Sequence, residues 1–62
     1  MNIVEKTSTL LQCSEWDLFR LAFVQEFEKY DEKKVERHYQ AFLEKGVIPF
    51  WIWNYQRDFQ NV

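Results

Sequence analysis

Apolar residues recur at helical steps through the middle of the chain. Trp16, Phe19, Phe23, Phe27 and Tyr30 are spaced by three and four, which aligns them on one side of a helix turning about 100° per residue. Ser14 stands where a cap is needed, and Glu15 and Asp17 put negative charge on the positive end of the helix dipole. The pattern predicts a first helix over Ser14 to Lys29. Leu18 and Leu21 fall on its other side, so its first half is apolar nearly all round, as in a helix buried centrally or packed against a second chain.

A second stripe, Val35, Tyr39, Phe42 and Leu43, is out of phase with the first by roughly 100°. One continuous helix would smear its apolar face around the barrel, so the reading breaks the chain near Tyr30-Asp31. Asp31 caps a second helix that runs to Lys45 and is closed by Gly46. Pro49 suits the first turn of a third helix, Pro49 to Gln60. The β-favouring types Phe50, Trp51, Ile52, Trp53 and Tyr55 offer a strand as the competing reading. Helix is preferred because Ile52, Tyr55 and Phe59 have helical spacing and a single strand lacks a partner.

Met1 to Cys13 reads as an extended N-terminal arm, with a short helix from Ser8 or Thr9 as the alternative. The fold expected is therefore all-α, a small three-helix domain over residues 14–60 with an arm over 1–13, a single domain that self-associates.

Composition sharpens this picture. Hydrophobic residues make up 47% of the 62 and aromatics 19%, which argues against disorder. So short a chain encloses only part of its apolar surface and ordinarily needs a staple. One cysteine excludes an internal disulfide, and one Cys with one His makes no zinc site. Packing and oligomerisation are left. The net charge of -2 gives no general pull toward phosphate backbones. No signal-like or membrane-spanning stretch is visible, so a cytoplasmic location is the default expectation.

Chemistry is sparse. The carboxylates lie on polar helix faces rather than in pairs that would drive their pKa values apart. His38 has no partner at useful spacing, and one glycine cannot make a phosphate cradle. Cys13 reads as a small staple residue reaching toward Leu18. No catalytic residue, cofactor or metal is expected.

A helix-turn-helix-like nucleic-acid regulator is the alternative function, yet its last helix would present aromatics with only Asn54, Gln56 and Arg57 as polar readers. The preferred reading is a non-enzymatic protein-interaction module, a small adaptor, regulator or inhibitor. Phe50, Ile52 and Phe59 are expected to hold the fold. Trp51, Trp53, Tyr55 and Arg57 are expected to meet a partner protein, and Leu18 and Leu21 a second copy of the chain.

Overall fold

The computed structural model describes residues 2–60. It contains four helices: α1 (Ile3–Leu11), α2 (Glu15–Phe27), α3 (Glu32–Lys45) and α4 (Phe50–Gln60). No strand occurs among the described residues. The all-helical class and the three helices read from the sequence are present within a residue or two of their expected bounds, the usual scatter of helix ends.

The arm is corrected: residues 3–11 are a helix, and it begins well before Ser8. Asn2 caps it by accepting the Glu5 amide at 2.8 Å, one half of a capping box. Ile3, Val4, Thr7, Ser8 and Leu11 form its inner stripe. Thr7-Ser8-Thr9 reads locally as loop, but Thr7 and Ser8 are buried. Their small side chains let α1 lie close to the rest of the fold, so packing overrides local propensity.

Side-chain caps open the next two helices. Ser14 Oγ accepts the Asp17 amide at 3.0 Å, and Asp31 Oδ1 accepts the Lys34 amide at 3.2 Å. The first three helices all end on a left-handed residue: Gln12 (φ 57°), Glu28 (φ 57°) and Gly46 (φ 70°). After Leu11 the Cys13 amide reaches Ser8 O at 3.0 Å and the Gln12 amide Thr9 O at 3.1 Å, a Schellman turn. Glu28 and Gly46 close α2 and α3 with single bonds to Val24 O and Phe42 O.

Helix α2 is the hub. Its backbone approaches α1, α3 and α4, whereas those of α3 and α4 stay apart and meet through side chains. Leu18, Phe19, Ala22 and Phe23 of α2 are buried, joined by Val4 of α1, Val35 and Phe42 of α3, and Trp51 and Ile52 of α4. The expected core position Leu43 is instead exposed.

Glu28 breaks two local rules at once. It holds a left-handed conformation that costs an L-residue about 1–2 kcal/mol, and it puts a carboxylate at the negative end of the α2 dipole. Glu28→Gly therefore gains roughly 0.5–1 kcal/mol after the extra chain entropy of glycine, which raises Tm by about 4–8 °C per kcal/mol in a domain of this size. Gly46→Ala moves the other way, because φ is +70° and the added Cβ meets nothing within 4 Å that would compensate. Thermal melts followed by circular dichroism read both.

Candidate protein-interaction surface

The C-terminal aromatics sort differently from the sequence expectation. Trp51 is 1% exposed, so its assignment as an outward-facing partner residue is corrected. Its ring meets Phe19, Phe23 and His38 edge-on, with centroid distances of 5.6, 5.6 and 5.4 Å and interplanar angles of 85–87°. Such T-shaped contacts place ring edges against the electron-rich faces of neighbours. The expected core residues Phe50 and Phe59 are corrected too: Phe50 is 61% exposed and Phe59 is also outside, while Ile52 is buried as expected.

The helix itself explains the exchange of Trp51 and Phe50. At about 100° per residue, Trp51 and Ile52 bound an arc that also contains Tyr55 and Phe59, and Phe50 lies far from Ile52. The arc turned to α2 is the Trp51–Ile52 side. Phe50, Trp53 and Arg57 then form a stripe on the outer side of α4, with Trp53 52% exposed. Asn54 borders it, accepting from Arg57 Nη2 and donating to Glu26 Oε1 of α2, each at 3.2 Å.

Leu18 is corrected in the same way. It is 0% exposed within the single chain and has no surface left for a second copy. Leu21, its companion in the sequence reading, is 49% exposed. Together with Val24, which sequence reasoning passed over despite its three-residue spacing from Leu21, it lines a groove of about 560 Å³. Cys13, Asp17, Arg20 and Tyr55 complete most of its wall. An adjoining cavity of about 190 Å³ shares Gln25 and Tyr55 and extends the surface to Phe59.

The groove carries no net formal charge. Arg20 Nη1 lies 3.3 Å from Asp17 Oδ1, and the guanidinium carbon sits 5.4 Å from the centroid of the Tyr30 ring. Both partners of the ion pair are half exposed, so it contributes little to stability. Burial, and then the Asp17 carboxylate, push the Cys13 thiol above its ordinary pKa. His38 is exposed, with one side of its ring against Trp51. Among the described residues no cluster of three or more His, Cys, Asp or Glu gathers to hold a metal. No helix described is long and apolar enough to cross a membrane.

No protein-family model, curated protein or solved structure matches the chain.

Two tryptophans two residues apart should thus behave oppositely. Trp51→Ala removes a core ring and costs about 3–5 kcal/mol, enough to unfold most of a marginal domain, whereas Trp53→Ala stays within about 0.5 kcal/mol. Urea titration of the two variants separates them. For Cys13, a raised pKa leaves less thiolate at a given pH, so alkylation by iodoacetamide near about pH 8 runs slower than for a free thiol peptide. Unfolding in urea restores the ordinary rate.

Proposed function

We propose that this chain is a non-enzymatic protein-interaction module, a small adaptor, regulator or inhibitor, that pairs with a second copy across the α2 groove. The observation that carries the reading is the amount of apolar surface left outside. Ten large apolar side chains among the described residues are at least 40% exposed. Isolated exposed hydrophobes are ordinary, but six of these lie on α2 and α4, where Leu21 and Val24 line one groove and Phe50 and Trp53 share the outer side of α4, and contiguous patches mark interaction sites.

Pairing of identical chains suits the groove for two reasons. A chain of net charge -2 repels its copy, and a patch in which Asp17 and Arg20 cancel puts the apolar contact where that repulsion is least. A chain without disulfide or metal staple also gains from covering Leu21, Val24, Tyr55 and Phe59 against the same residues of a partner, as two-fold symmetry provides. A lone unpaired thiol is at home in a reducing compartment, consistent with a cytoplasmic protein.

The outer stripe of α4 supports contact with a different protein. Trp53 and Arg57 are of the types that dominate binding hot spots, and Phe50 adds apolar area beside them. They point away from the groove, so both contacts fit on one molecule.

Sedimentation equilibrium tests the pairing. The chain is expected at twice the mass of one copy at micromolar concentration, and Leu21→Glu is expected to weaken the dimer by at least about tenfold, or 1.4 kcal/mol, with helical circular dichroism unchanged. Trp53→Ala leaves the dimer intact. A strict monomer at every concentration would overturn the reading.

A further inference from the structure

Around α2 from the groove, on the side turned to α3, lies a second cavity of different character. Phe23 and Phe27 line it together with Lys29, Lys34, Arg37 and His38, enclosing about 390 Å³. Phe23 is buried and its ring centroid lies 4.7 Å from that of Phe27, which is 41% exposed.

The charge pattern is unusual for an acidic chain. Three permanent cations surround the cavity and no carboxylate lines it, although the sequence holds ten. The acidic neighbours in sequence are turned to other uses. Asp31 caps α3 through the Lys34 amide, Glu32 accepts from the Tyr30 hydroxyl at 3.4 Å, and Glu36 and Glu44 line a different cavity of α3, which Arg37 borders on its other side together with Lys33 and Lys45. Glu28 closes α2. Among the described residues the ion pairs are Arg20–Asp17 and Arg57–Asp58, so Lys29, Lys34 and Arg37 keep their donors for another anion.

We propose that this cavity binds a nucleoside phosphate, with its base against the Phe27 ring and its phosphate among Lys29, Lys34 and Arg37. Arginine offers a planar fork that meets phosphate oxygens in pairs, and lysines add point charges. A bare anion uses these cations but leaves the aromatic wall idle. A base stacked on an aromatic face strengthens binding by about tenfold or more and needs no sequence-specific donors. The volume is at the lower end of small-molecule sites, the scale of one nucleotide rather than of a peptide segment. The nucleotide is either free or one unit of a single strand, since both present the same base and phosphate.

Amide resonances of the labelled chain, titrated at low salt with AMP, adenosine, inorganic phosphate and a short oligodeoxyadenylate, test this. AMP is expected to shift Phe27, Lys34, Arg37 and His38, and to bind about tenfold or more tighter than adenosine or inorganic phosphate, the loss of one charged or one stacking contact. Lys34→Gln combined with Arg37→Gln weakens AMP by about tenfold or more; Phe27→Ala weakens AMP but leaves inorganic phosphate unchanged. All three positions are exposed, so circular dichroism should not move. Binding of the oligonucleotide as well as AMP assigns the site to a strand, and binding of AMP alone assigns it to the free nucleotide. No shift at millimolar AMP, equal affinity for inorganic phosphate, or tighter binding of polyglutamate would each overturn the proposal.

Discussion

Trp51 is the side chain on which the packing of the other elements depends. The backbones of α3 and α4 stay apart, and the space between them on the flank of α2 is taken up by one indole in contact with Phe19, Phe23 and His38. Phe19 extends the cluster to Tyr39 and Phe42, and Tyr39 extends it to Trp16. A residue of this size removes roughly 150–250 Å² from water, a large share of what so small a chain can bury. The ring therefore does for the α3–α4 side of the molecule what a disulfide does in other short domains. It does so without a covalent bond, by filling a volume that no backbone contact closes.

The same packing decides which surfaces stay outside. Once Trp51 and Ile52 face α2, the geometry of a helix leaves Phe50, Trp53 and Arg57 pointing away, whatever their hydrophobicity. Likewise α1 packs on α2 and α4 and brings Val4 into the core that buries Leu18. The far end of the aromatic stripe, Phe27 and Tyr30, is thereby left half outside. The apolar groove and the cationic cavity are the two shoulders of one hub helix, on either side of the arc that the core consumes.

Much of this was legible in the sequence, and what was not has three causes. Ser14, Asp31 and Gly46 act locally, through hydrogen bonds or a backbone conformation within a few residues, so the starts of α2 and α3 and the end of α3 could be read directly. The helical nature of α4 followed from spacing. Helix α1 was hidden because Thr7, Ser8 and Thr9 are neutral or poor helix formers, although Asn2 and Glu5 carried half a cap signature and Ile3, Val4, Thr7, Ser8 and Leu11 have the right period. Without α1 the core lacks Val4 and Thr7, and Leu18, buried in the four-helix core, reads as surface free for a second copy. The Trp51 and Phe50 exchange has a different origin. A wheel gives relative directions only, and here Phe50 and Ile52 were grouped although they lie far apart on it. The cationic cavity was invisible for a third reason: Lys29, Lys34 and Arg37 are interleaved with acids along the chain and separate from them only in space.

The left-handed Gln12 and Glu28 bear on how tightly the fold could have been made. Glycine would relieve strain at either position, as it does at Gly46, and the chain uses it once. Thr7 adds a buried hydroxyl oxygen with no hydrogen-bond partner, a group whose desolvation costs about 1–3 kcal/mol when unmatched. These are small penalties singly, but each is comparable with a sizeable part of the stability available to a domain of this length. A chain that tolerates them while leaving Leu21, Val24, Phe50 and Trp53 in water is not optimised as an isolated monomer. In the proposed dimer, covering the α2 groove would add burial without altering the core, and so would offset the strained helix ends from outside the single chain.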